Sequence, residues 1–144
     1  MVKIIIIYFL FFCISYGYSQ DKETTLKHGQ TYNEKLLNSE KKKYRIKLSK
    51  GEFCTLIVRQ LGVDVVIDLS DPSFKKINSF DSPNGNHGPE YIEFAADMEG
   101  LYHLEIYPLN DYSGMTEAQK TQYIEQNQGN YQIDSIRVLR KEEY

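Results

Sequence analysis

Between Tyr44 and Leu139, apolar side chains return at every second position in short runs, with turn-forming residues between the runs. A period of two places one set of side chains on one face of an extended strand, so the pattern calls for β-structure with a buried face. Tyr44, Ile46 and Leu48 alternate with Arg45 and Lys47, and Ser49-Lys50-Gly51-Glu52 turns the chain. Phe53 to Gln60 is apolar on both parities, the pattern of a strand covered on both sides. Leu61-Gly62-Val63 makes the next turn. Val65, Ile67 and Leu69 then point inward, with Asp64, Val66 and Asp68 on the opposite face. Asp71-Pro72 ends that strand, and Lys75 to Phe80 forms a weaker one. Asp81 to Pro89 is so dense in Pro, Gly, Asn and Ser that it must be a loop.

The alternation resumes with Ile92, Phe94 and Ala96, then with Tyr102, Leu104 and Ile106 after Gly100. In the last strand, Tyr131 to Leu139, the parity changes between Ile133 and Ile136, which predicts a bulge. One segment departs from the pattern. Thr116 to Asn127 is rich in helix formers, Thr116 with Gln119 makes a capping box, and Gln128-Gly129 is a stop. The expectation is an all-β fold of two antiparallel sheets packed face to face, with one short surface helix inserted before the last strand.

The first residues follow a different logic. Lys3 precedes an unbroken apolar run from Ile4 to Ile14, and Gly17 and Ser19 occupy the −3 and −1 positions of a cleavage site. This is the three-part pattern of a secretory signal peptide over residues 1–19. The run is shorter than the roughly 20 apolar residues that span a bilayer core, so no stable membrane insertion is expected after cleavage. Phe11 and Phe12 before Cys13 do not fit a lipobox. Residues 20–30 are polar and without apolar period and read as a leader or linker; residues 31–140 read as the folded domain, and 141–144 as a tail. The expected location is secreted or periplasmic.

Charge and cysteine content exclude several function classes. Seventeen Lys and Arg against 20 Asp and Glu give a net charge of −3, and Lys41-Lys42-Lys43 is an isolated basic run, so a nucleic-acid partner is not expected. Two cysteines, Cys13 and Cys54, make neither a disulfide framework nor a C-x-x-C pair. Cys54 falls on a core strand and reads as an inert buried thiol.

An ordered set of features lies over this pattern. It comprises Gln60-Leu61-Gly62-Val63-Asp64, Asp71-Pro72, Gly88-Pro89-Glu90-Tyr91, Gly100-Leu101-Tyr102 and Gly129-Asn130-Tyr131. In this order the chain resembles the bacterial pre-peptidase C-terminal domain over residues 29–139. The resemblance implies a jelly-roll-like β-sandwich of about eight strands, and an accessory role in an exported protein instead of a catalytic one. No peptidase or repeat region follows in this sequence, which reads as a free-standing version or a remnant of a larger gene. The rings of Tyr102 and Tyr131, each two residues after a glycine, are expected to keep their hydroxyls hydrogen-bonded near the sandwich rim.

The candidate chemistry is sparse. Ser82, His87 and Asp81 share one loop, but catalytic triads join distant segments on a rigid frame and no G-x-S-x-G elbow is present, so no catalytic residues are assigned. His28, His87 and His103 have no zinc spacing. Calcium, which takes several oxygen ligands, has Asp81, Asn84, Asn86 and Glu90 as candidates in the turn-rich loop; a hydrogen-bonded turn without metal is the other reading, and no further cofactor is expected. Some collagenase-type domains of the resembled family bind calcium through an acidic N-terminal linker. Asp21 and Glu23 lie in that region, although no motif carries the ligands over. Asp64 and Asp68 on one strand face, and Tyr107, Tyr112 and Tyr123 near the inserted helix, are the candidate binding residues. The expected function is a non-catalytic accessory module that binds a protein partner or an envelope polymer. The alternatives are a calcium-dependent binder of polysaccharide or protein fibres and, remotely, a small secreted hydrolase.

Overall fold

The computed structural model describes residues 22–37 and 40–143, and the expected signal peptide lies outside them. Nine strands form: β1 (Glu23–Thr25), β2 (Tyr32–Leu36), β3 (Lys42–Leu48), β4 (Phe53–Leu61), β5 (Val65–Ser70), β6 (Lys76–Phe80), β7 (Pro89–Ala95), β8 (Gly100–Pro108) and β9 (Gly129–Leu139). One helix, α1 (Glu117–Gln126), lies between β8 and β9. The strands make a five-stranded sheet in the order β1-β3-β8-β5-β6 and a four-stranded sheet in the order β2-β9-β4-β7. All pairings are antiparallel except β1 with β3. From β3 onward, each strand except β6 lies in the sheet opposite its predecessor, the jelly-roll-like connectivity of a sandwich.

Alternation decides which side chains meet in the middle. Tyr44, Ile46 and Leu48, Val65, Ile67 and Leu69, and Tyr102, Leu104 and Ile106 are buried from the larger sheet. Cys54, Leu56 and Val58, Ile92 and Phe94, and Tyr131, Ile133 and Ile136 are buried from the smaller one. At β4 only the inward parity is covered; Phe53, Thr55 and Ile57 are half-buried, so the strand is buried on one side, not on both. The bulge expected in β9 is present. The register against β4 shifts between Thr55 and Ile57, and Ser135 opposite it has φ +52°.

Two of the glycines in the sequence motif are explained by close approach. A Cβ on Gly129 would stand 2.7 Å from the carbonyl carbon of Gly62. One on Gly100 would stand 2.7 Å from the ring of Pro72. Motif residues far apart in the chain therefore touch where strands of the sandwich begin and end.

Three expectations need correction. The segment 20–30, polar enough to read as a leader, supplies the edge strand β1 and the buried Leu26, whose amide donates to the Arg45 carbonyl at 2.8 Å. Three residues paired along one edge carry too little apolar content to show a period. The Tyr102 hydroxyl does sit at the rim, donating to the Met98 carbonyl at 3.0 Å, but the Tyr131 hydroxyl meets that of Tyr44 inside the core, linking the two sheets. Burial raises the pKa of both of these core phenols well above the usual tyrosine range. Finally, Val66 is buried, and Asp64 lies ahead of the first residue of β5, so Asp64 and Asp68 do not share one site.

Candidate functional site

Apolar alternation on β4 and β7 stops at one end of the sandwich. The next inward positions there are Gln60 and Glu90, each 1% exposed. The loop of residues 81–89 closes over them. Ser82 donates to Glu90 Oε2 from its amide at 3.0 Å and from its hydroxyl at 2.8 Å. Asn84 Nδ2 and Gln60 Nε2 donate to Glu90 Oε1 at 3.2 and 3.3 Å. Gln60 also donates to Asn84 Oδ1 at 2.7 Å and accepts from the Val65 amide at 2.6 Å. Backbone bonds from Gln60 to Gly88 and from Gly62 to Asn86 tie the same loop to β4. A buried carboxylate with four donors is a satisfied network.

This is where the structure places the calcium candidates. Asn84 and Glu90 are joined within the network, and Asn86 Oδ1 meets His87 Nδ1 at 2.5 Å. Asp81 is exposed. Among the described residues, no three His, Cys, Asp or Glu side chains come together as a metal group. Glu23 is engaged elsewhere, and Asp21 lies outside the described residues. The Ser82 hydroxyl donates to Glu90, while His87 Nδ1 is engaged by Asn86.

Beside the loop, Asp64 opens onto a cleft of about 350 Å³ lined by Gly62, Gly85, Asn86, Tyr123, Gln126 and Asn127. The Thr116–Gln119 capping box begins α1, and no side chain of the helix is buried. Two bonds to the Leu109 carbonyl dock it, from the Tyr123 hydroxyl at 3.2 Å and Asn127 Nδ2 at 2.6 Å. Tyr112 meets Tyr123 edge to face, with centroids 5.9 Å apart. Burial, followed by the charges of Asp81 and Glu90, raises the Asp64 pKa.

A second surface lies on the outer face of the five-stranded sheet. After β5, Asp71 Oδ1 accepts from the Ser73 amide at 2.8 Å, the Ser73 hydroxyl at 2.6 Å and the Lys75 amide at 2.9 Å. The Ser73 hydroxyl is the main cause of the lowered Asp71 pKa. This turn holds Phe74 at φ +63° with its side chain 74% exposed. The ring stacks on His103, centroids 4.3 Å apart. His103 in turn meets Glu23 at 2.7 Å, and Glu23 meets Arg45 at 3.5 Å. Phe74 and His103 border a groove of about 320 Å³ that Asp68, Lys76 and Glu105 also line.

Asp68 and Tyr107, two of the sequence candidates, meet on this face. Tyr107 donates to Asp68 Oδ2 at 3.1 Å, while Lys76 pairs with Oδ1 at 2.7 Å. Burial raises the Asp68 pKa, but its bonds with Lys76, Ser79 and Tyr107 outweigh that and lower it overall. Burial and the nearby Asp68 charge push the Tyr107 phenol up to about 12. The five binding candidates thus divide between two places, with Asp64, Tyr112 and Tyr123 at the helix and Asp68 and Tyr107 on the sheet. Tyr107, Tyr112 and Tyr123 are half-buried; among the described residues the tyrosine standing farthest out is Tyr91, 61% exposed. Phe74 and His103 were not legible as a pair, although Asp71-Pro72-Ser73 is a turn signal that places the following residue on a tip.

No family model matches the chain, and no curated protein matches its sequence. Solved structures do match. The pre-peptidase C-terminal domain of a collagenase from Bacillus anthracis superposes with a TM-score of 0.56 at 14% identity, over 81% of this chain and 95% of that one. PliG of Aeromonas hydrophila, a periplasmic inhibitor of g-type lysozyme, gives 0.55 at 11% identity over 81% and 96%. PliG of Salmonella Typhimurium gives 0.51 at 14% identity over 82% and 99%. The chain therefore has the β-sandwich fold of the pre-peptidase C-terminal domain, a fold that it also shares with these lysozyme inhibitors.

Proposed function

We propose that the chain is an exported, non-catalytic module that docks a protein partner through the outer face of its five-stranded sheet. The observation that carries this reading is Phe74. A bulky residue in the left-handed region costs about 1–2 kcal/mol, and here the strained turn holds a largely exposed aromatic ring, stacked on His103, over a groove. Large aromatics ringed by charged groups are the anatomy of protein interfaces. The signal-peptide pattern of residues 1–19 and the periplasmic location of the PliG neighbours support an exported protein. Their binding of a lysozyme supports a protein partner and makes g-type lysozyme the first purified candidate.

The test puts a photo-crosslinking phenylalanine at position 74 in the exporting host. A discrete protein adduct is expected, suppressed by excess wild-type chain but not by excess Phe74→Asn. Asparagine tolerates positive φ, so this variant should melt at or above the wild-type temperature, with a gain of up to about 1 kcal/mol. No adduct, or equal suppression by both chains, overturns the reading.

A further inference from the structure

The helix α1 is ten residues long, shorter than the roughly 12–15 at which isolated helices become even marginal, and it buries no side chain. Two hydrogen bonds to Leu109 hold it in place. What its position achieves is a wall. Tyr123, Gln126 and Asn127 face Gly85 and Asn86 of the opposite loop across the cleft that Asp64 lines. Asp64 is unusual within this molecule. Its Oδ1 is sealed from solvent without a hydrogen-bond partner, and no donor or cation meets either of its oxygens among the described residues. Among the described residues the other carboxylate with a sealed, unpartnered oxygen is Asp134, whose second oxygen is held by Arg59 at 2.6 Å. The charges that act on Asp64, those of Asp81 and Glu90, are of its own sign.

A carboxylate with one oxygen sealed and no donor from the fold is destabilising until a cation arrives. Calcium fits poorly, because it takes six to eight oxygens, while Glu90 is already engaged by four donors and no acidic triplet forms among the described residues. The lining of one carboxylate, several carboxamides and a phenol ring instead suits a planar guanidinium, which pairs with a carboxylate and lies against aromatic rings.

We propose that the Asp64 cleft receives an arginine side chain of the protein partner. This rests on the docking reading above and adds the chemistry of a second contact. The six residues of β5 separate the cleft from the Phe74 turn, a span of about 20 Å. A standard interface of about 800 Å² per partner is wider than that, enough for one partner to reach both.

The experiment is a titration of the isotope-labelled protein, purified as its host exports it, followed through backbone amide resonances. The probes are N-acetyl-arginine methylamide, its neutral citrulline counterpart and calcium chloride. The arginine amide is expected to shift the Gly62, Asp64, Asn86 and Asn127 resonances saturably. Binding should be at least tenfold weaker for citrulline and for Asp64→Asn, with that variant melting no lower than wild type. Shifts confined to other residues, equal response to citrulline, or an undiminished response in Asp64→Asn overturns the proposal. Calcium saturating the same amides at lower concentration than the arginine amide overturns it in favour of a metal site. The crosslink at position 74 reads a different surface. A lost cleft with a retained adduct sinks this inference alone, and a lost adduct with a working cleft sinks the docking face alone.

Discussion

Glu90 and Asp64 lie at the same end of the sandwich, on either side of one loop, and they are handled in opposite ways. Glu90 is sealed to 1% exposure and receives four donors from Ser82, Asn84 and Gln60. Asp64 is only partly covered and receives none. The two acids therefore differ in burial and, more sharply, in the number of donors that the fold supplies to each. A carboxylate with its lone pairs occupied holds a loop in place, and on the arginine proposal one with lone pairs left open takes its donor from outside.

The largest test of that difference is Glu90→Ala. It leaves the Ser82 hydroxyl and the Asn84 and Gln60 amides without their acceptor and opens a void where β7 enters the core. Losing a buried, multiply bonded acceptor predicts a destabilisation of about 2–4 kcal/mol, read as a lower urea midpoint with an unchanged slope. A loss below about 1 kcal/mol would mean that the backbone bonds of Gly88 and Asn86 hold the loop by themselves, and the contrast with Asp64 would collapse.

Gln60→Leu comes next. The shape is nearly kept, but the Val65 amide loses its acceptor and Glu90 loses one of its donors. The expected cost is about 1–3 kcal/mol by chemical denaturation. Amide exchange should accelerate at Val65 and Asn84 before it does at Ile67, because the opening starts at the polar end of the core. Uniform acceleration across β5 would show that the network has no local role.

Much of this was open to reading from parity. Gln60 continues the inward series Cys54, Leu56, Val58, and Glu90 precedes Ile92 and Phe94 in phase, so both fall on core positions in the bare sequence. Turn composition instead drew Glu90 into a list of loop oxygen ligands, because a strand boundary at Pro89 is invisible to a count of Asn, Gly and Pro. The helix was legible through Thr116 and Gln119, and the β9 bulge through Ile133 and Ile136. By contrast, β1 and β2 carry too few apolar residues to show a period, and they exist because β3 and β9 offer unpaired edges. The Phe74–His103 stack joins residues 29 positions apart, one on the turn after β5 and one on β8, and no local pattern encodes that. Asp64 was singled out for its strand face, yet what sets it apart is the helix placed across from it.

The smallest predicted effect is the most discriminating one, because the same replacement of a carboxylate by a carboxamide should act with opposite signs at the two sites. Glu90→Gln turns an NH2 donor toward donors that still need an acceptor and lowers stability at neutral pH. At Asp64 the folded-state pKa is raised above its ordinary value of 3.8. The native state therefore holds that proton more tightly than the unfolded chain, and the ionised group disfavours folding. The penalty is complete above the raised native pKa and vanishes below the unfolded one. Asp64→Asn should thus match wild type near pH 3 and exceed it at pH 7, by up to about 0.5 kcal/mol given the partial exposure of the site. A thermal melt of both proteins at the two pH values measures it. Saturating arginine amide should remove the difference at pH 7, since the cation stabilises only the chain that keeps its carboxylate. If Asp64→Asn instead loses stability at neutral pH, then Asp64 already has a partner in the folded chain, and the two acids are alike after all.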